Sequence, residues 1–90
     1  GADPMDERDI YQQLEALKAE LDVSEGLSDE ARETMLGLID RVEEQLPVPG
    51  EAADNLSERF ESIVTEFEVT HPTLTSIINN IMVTLGGMGV

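Results

Sequence analysis

Residues 72–90 read PTLTSIINNIMVTLGGMGV, and these nineteen consecutive residues include no charged side chain. The rest of the chain is crowded with charge, because twenty acidic residues face only five basic ones and the net charge is -15. An exposed helix in so acidic a protein would normally carry Glu or Lys. We therefore expect this segment to be shielded from water.

The apolar residues of this C-terminal segment recur at helical spacing, which predicts a helix that ends at Gly86 and Gly87. They are Leu74, Ile77, Ile78, Ile81, Met82 and Leu85. We take these residues as the candidate interface of a core or subunit contact, because apolar patches of this extent usually mark association. The segment is too short and too rich in Asn and Thr to cross a bilayer of about 30 Å, and a reversible membrane contact is only a secondary alternative.

The junction Thr70-His71-Pro72 decides how the last helix begins. Phe67 and Leu74 are seven residues apart, so the apolar stripe keeps its phase across the junction. One long helix kinked at Pro72 would explain this phase. A break in which Thr70 or His71 caps a new helix, with Pro72 in its first turn, would explain it as well. We favour the long, kinked or briefly interrupted helix, and we assign Thr70, His71 and Pro72 as its hinge or cap.

Apolar residues at spacings of three and four predict three more helices upstream of the junction. They run from about Asp6 to Ser24, from about Ser28 to Leu46, and from Ala52 or Asp54 to Val69. Gly26 ends the first helix and Ser28 caps the second, and this short link favours an antiparallel hairpin. The chain turns again at residues 47–50, where two prolines exclude a helix.

The fold predicted from these elements is all-α, with an antiparallel helical hairpin and a long C-terminal helix in a coiled-coil-like bundle. The seam of the first helix is narrow, as in coiled coils, and consists of Ile10, Leu14, Leu17 and Leu21. A chain of ninety residues has a thin core, so we expect oligomerisation, as a homodimer or a higher homo-oligomer, to complete it. Residues 5–90 form a single domain, and we interpret residues 1–4 as a cloning remnant.

The sequence offers no constellation of catalytic residues. It has no cysteine, and His71 is its only histidine, so neither a thiolate site nor a typical Ser-His-Asp triad can be assembled. Ser57 and Ser62 lack an activating base, and a metal site of His71 with Glu66 or Glu68 would be weak. We predict that the protein is not an enzyme and uses no cofactor or metal.

Two motifs of small acidic proteins are incomplete in this chain. Residues 22–33 are spaced like a calcium loop between helices, but Leu27 occupies the position where the sharp turn demands glycine. Four-helix acyl carriers attach their prosthetic group to a serine, and Asn55 stands at the nearest matching position. Neither calcium nor phosphopantetheine is therefore expected.

The acidic surface restricts the partners that the protein can bind. Carboxylates cannot neutralise phosphates, so we expect no direct contact with DNA or RNA. Our first hypothesis is a non-enzymatic interaction or scaffold protein that self-associates through its apolar seam or binds another protein. Our second hypothesis is an acidic regulator that covers the basic surface of a partner protein by charge mimicry. No secretory signal follows Met5, and a cytoplasmic location is expected.

The C-terminal half resembles a known protein family. The residues that carry the likeness are Phe67-Glu68, His71-Pro72-Thr73-Leu74-Thr75 and the final Leu85, Met88, Gly89 and Val90. They resemble small bacterial proteins of domain of unknown function 4404, and the likeness extends more loosely over Met5 to Val90. The resemblance implies a bacterial, intracellular, helical protein. It implies no activity and no catalytic residue.

Overall fold

The computed structural model of the chain describes the backbone of residues 4–46 and 50–88 and the side chains of residues 8–46 and 50–86. These residues form four α-helices: α1 (Pro4–Val23), α2 (Asp29–Glu44), α3 (Gly50–Phe67) and α4 (Pro72–Met88). No β-strand occurs in the described ranges. The all-helical prediction is therefore confirmed.

The four helices pack in a ring, in which each helix contacts two neighbours. Helix α4 packs closely against α1 and α3, whereas α2 contacts α1 and α3 more sparsely. Across the diagonals, the described parts of α1 and α3, and of α2 and α4, make no close backbone contact. The molecule measures 38 × 20 × 19 Å, and its contacts are those of a four-helix bundle.

One continuous apolar core fills the bundle, and each helix contributes its stripe at positions three and four apart. The buried side chains are Ile10, Leu14, Leu17 and Leu21 from α1, Met35, Leu38, Ile39 and Val42 from α2, Ala53, Leu56, Phe60 and Ile63 from α3, Leu74, Ile78, Ile81 and Leu85 from α4, and Leu27 from the first loop. Phe60 is the one aromatic ring among them. Aliphatic side chains supply the rest, as the composition indicates.

Local chemistry explains the connection between α1 and α2. Gly26 has a φ of +78°, a left-handed conformation that glycine adopts without steric cost and that commonly follows a helix. The Ser28 hydroxyl accepts a hydrogen bond of 3.1 Å from the backbone N–H of Ala31, which caps α2. Both features were predicted. Arg32 makes a further contact that the sequence analysis did not predict. Its Nε donates a hydrogen bond of 3.2 Å to the carbonyl oxygen of Leu21 and satisfies one of the last acceptors of α1.

The prediction of one long C-terminal helix is wrong. Helix α3 ends at Phe67, α4 begins at Pro72, and the two helices pack against each other. Proline lacks the N–H of a helix interior but suits the first helical position. The carbonyl of His71 accepts the first bond of α4, from the N–H of Thr75 at 3.1 Å. A spacing of seven residues cannot distinguish this arrangement from a continuous helix, because each helix turns its own stripe toward the same core.

Candidate functional site

The candidate interface of α4 lies largely inside the chain's own bundle. Leu74, Ile78, Ile81 and Leu85 are 0% exposed, and Ile77 and Met82 are partly buried. The covering expected for the uncharged segment is thus provided for its apolar side by α1 and α3 of the same chain, while its outer side is not covered. The four side chains that are 0% exposed can meet a second copy only if the bundle opens.

The outer side of α4 is exposed and uncharged. It consists of Thr73, Ser76, Asn79, Asn80 and Val83, which we call the neutral face. Thr73, Ser76, Asn80 and Val83 follow one another at intervals of three or four, and Asn79 lies beside Asn80, so that together they form a single stripe along the helix. Val83, at the C-terminal end of this stripe, is 77% exposed. The exposure of Val83 depends on how α4 packs, which its own sequence does not give.

The neutral face is unusual on this protein, because α4 is the one described helix without a charged residue. Helices α1, α2 and α3 all expose carboxylates, for example Glu15, Asp40 and Glu58. The described ion pairs involve Glu15 and Glu43 with Lys18, and Asp29 with Arg32. A molecule that approaches the protein therefore meets unneutralised negative charge on most sides. It meets no charged side chain of α4 at the neutral face.

The predicted hinge residues form a junction between two loops. His71 Nε2 lies 2.9 Å from the carbonyl oxygen of Glu25, and His71 Nδ1 lies 3.0 Å from the hydroxyl of Thr70. The imidazole also meets the Phe67 ring edge to face, with centroids 5.6 Å apart. Both ring nitrogens and the aromatic ring of His71 are thus engaged by the chain itself. This arrangement suits a structural contact better than proton transfer.

A groove between α2 and α3 contains two arginines that the sequence analysis did not single out. It comprises two adjoining cavities of about 470 and 440 Å³, and Arg41 and Arg59 line both. The first cavity is also lined by Leu38, Ile63 and Ser62. The two arginines are eighteen residues apart in sequence and belong to no motif, so only the fold places them on one groove.

Ser57, Ser62 and Glu66 lie on α3, and Glu68 follows it. Nowhere in residues 8–46 and 50–86 do three His, Asp or Glu side chains gather as metal ligands would. None of the helices, over the residues described, has the length and apolar content to traverse a bilayer.

Comparison with known proteins places the chain in one family. No curated protein and no solved structure matches it. The family model described as Domain of unknown function (DUF4404) matches residues 10–90, which is nearly the whole chain. The match includes the turn before α4 and the neutral face. The protein therefore belongs to the DUF4404 family.

Proposed function

We propose that the protein is a non-enzymatic helical interaction protein, and that it self-associates through the neutral face of α4. The observation that carries the proposal is the position of this face on a chain of net charge -15. Two copies that approach through α1, α2 or α3 bring like charges together, which costs free energy. Approach through Thr73, Ser76, Asn79, Asn80 and Val83 avoids that repulsion.

The chemistry of the neutral face also suits contact with a copy of itself. A two-fold dimer brings the same patch together from both subunits. Val83 then supplies apolar contact, while the amides of Asn79 and Asn80 each offer donors and acceptors to the opposite chain. A pair of Asn side chains in a helical interface also favours one register.

This proposal replaces the apolar seam as the route to self-association. Each chain already closes its own core, so association adds to a folded bundle and does not complete it. We therefore expect a reversible dimer whose population depends on concentration.

We further infer that successive helices alternate in direction, beginning with an antiparallel α1–α2 hairpin. If α1 and α2 were placed end to end, their 36 residues would span roughly 54 Å at about 1.5 Å per residue. The long dimension of the molecule is only 38 Å. The short links between α1 and α2 and between α3 and α4 support the same arrangement.

Light scattering on two matched variants tests self-association. Val83→Asp places a carboxylate on the neutral face, and Val69→Asp replaces a valine of similar exposure in the turn after α3. The wild type and Val69→Asp should both approach twice the 9.9 kDa of one chain as concentration rises. Val83→Asp should stay monomeric while keeping a helical circular dichroism spectrum. A wild type that is monomeric throughout the micromolar range refutes the proposal.

Charge mimicry is the second candidate function, and the free carboxylates of the surface support it. In the described part of the chain, Glu15, Asp29 and Glu43 are the only carboxylates within ion-pairing distance of a basic side chain. A basic partner would be held by charge, and its capture should be lost between about 0.1 M and about 1 M salt, where the screening length falls from about 10 Å to about 3 Å. Association through the neutral face should persist at the higher salt concentration.

A further inference from the structure

The α2–α3 groove concentrates positive charge on a protein that has little of it. The chain has five basic residues, and two of them, Arg41 and Arg59, line both cavities of this groove. Lys18 and Arg32 are paired with carboxylates. Among the side chains that the structure describes, neither Arg41 nor Arg59 has a carboxylate oxygen within 4.0 Å. Both guanidinium groups therefore have donors to offer to an anion.

The floor of the first cavity is apolar. Leu38 and Ile63, at 4% and 7% exposure, line the first cavity together with Gly37. Gly37 leaves a gap in the wall, because a Cβ added there would meet nothing within 4 Å. The cavity volumes, about 470 and 440 Å³, fall within the range of small-molecule sites. A ligand with a compact aliphatic part would fit beside the arginines.

The carboxylates around the groove limit the charge of the ligand. Glu33 and Glu66 line the first cavity, and Glu58 lines the second. A dianion such as phosphate would meet about twice the repulsion that a monoanion meets from these groups and from the body as a whole. A carboxylate carries one charge and accepts paired hydrogen bonds from a guanidinium.

We propose that the α2–α3 groove binds a small monocarboxylate with a short aliphatic chain. Arg41 and Arg59 hold the carboxylate, and the chain lies on Leu38 and Ile63 in the gap above Gly37. The site lies on different helices from the neutral face, so it is independent of the proposed self-association.

Hexanoate is a suitable probe, and amide NMR spectra of the full chain report where it binds. Hexanoate should shift the amides of Gly37, Leu38 and Ile63 in a saturable manner at millimolar concentrations. Hexanol tests the need for charge, acetate the need for the aliphatic chain, and inorganic phosphate the preference for a carboxylate. Each of the three should bind at least about tenfold more weakly than hexanoate.

Variants separate binding in the groove from a nonspecific effect of charge. Arg41→Gln and Arg59→Gln should each weaken hexanoate binding by about tenfold, because each removes a charged hydrogen-bond donor. Arg8→Gln changes the net charge equally from the exposed surface of α1 and should leave binding unchanged. Gly37→Leu should fill the gap and abolish binding, whereas Gly86→Leu, also directed into open space, should not.

Three results would overturn the proposal. The first is the absence of saturable hexanoate shifts in the wild type. The second is equal binding by the wild type and the double variant of Arg41→Gln with Arg59→Gln. The third is phosphate binding as tight as that of hexanoate. Circular dichroism of every variant establishes that a loss of binding does not reflect unfolding.

Discussion

His71 Nε2 lies 2.9 Å from the carbonyl oxygen of Glu25, a residue 46 positions earlier in the chain. A carbonyl oxygen can only accept, so the imidazole carries a proton on Nε2 and donates it to this bond. The contact joins the α1–α2 loop to the turn that precedes α4. The two loops therefore lie at the same end of the bundle, and one side chain links them.

Replacement of His71 tests how much this link stabilises the bundle. His71→Ala should lower the free energy of unfolding by about 1 to 2 kcal/mol, since it removes a hydrogen bond and an edge-to-face contact with Phe67. Thr70→Ala removes the neighbouring hydroxyl alone and should cost less. Urea denaturation measures both changes. Equal stability of His71→Ala and the wild type would mean that the link contributes nothing.

Two glycines should respond in opposite directions to the same substitution. Gly26→Ala should destabilise the protein by about 1 kcal/mol, because its φ of +78° disfavours a side chain. Gly37→Ala should stabilise it by about 0.5 to 1 kcal/mol, because alanine is the better helix former. At both positions the added Cβ meets open space, so neither effect arises from a clash. Thermal unfolding of the two variants shows whether each is less or more stable than the wild type. A shift of the melting temperature in the same direction for both would contradict this explanation.

Two positions on α4 distinguish its core side from its neutral face. Ile81 is 0% exposed, whereas Val83, two residues later, is 77% exposed. Ile81→Asp buries a carboxylate without a partner and should unfold the chain, while Val83→Asp should retain its helical circular dichroism signal. If Ile81→Asp gives a folded monomer, then Ile81 lies in an interface between chains and not in this core.

Lys18 provides a test that depends on pH. Its ammonium lies 3.0 Å from Glu43 of α2 and 3.4 Å from Glu15. These carboxylates, Glu43 above all, raise the pKa of Lys18 above its ordinary value. A raised pKa in the folded state stabilises the protein at neutral pH, and this stabilisation is lost as the pH rises through the raised pKa.

Lys18→Met isolates this contribution. The group is partly exposed, so its loss should cost less than about 1 kcal/mol at neutral pH. The difference between variant and wild type should shrink in strongly alkaline solution, where the lysine is neutral in both folded and unfolded chains. The midpoints of urea denaturation at neutral and at strongly alkaline pH measure this difference in stability. A difference that grows with pH would contradict the assigned sign.

Periodic features of this fold could be predicted from the sequence, because burial repeats with the helical turn. Leu14 and Leu17 of α1 and Ile78 and Ile81 of α4 were recognised as apolar stripes, and they lie in the core. The residues Gly26 and Ser28 were assigned from the conformations that each favours. Local signals of this kind need no knowledge of the partner helix.

Features that depend on how the helices meet could not be predicted in the same way. The spacing of Phe67 and Leu74 fits both a continuous helix and two helices that share a core. The apolar stripe of the uncharged segment had to be covered, but its sequence does not state whether α1 and α3 or another chain would cover it. Arg41 and Arg59 share a groove only because α2 and α3 lie side by side.

The position of α4 between α1 and α3 has a consequence for folding during synthesis. Ile10 and Leu14 near the start of the chain belong to the same core as Ile81 and Leu85 near its end. While the ribosome still holds the C-terminal segment, the stripe of α1 lacks one of its two neighbouring helices. A nascent chain from which α4 has not yet emerged therefore exposes apolar surface, and it is open to aggregation or chaperone binding during that interval.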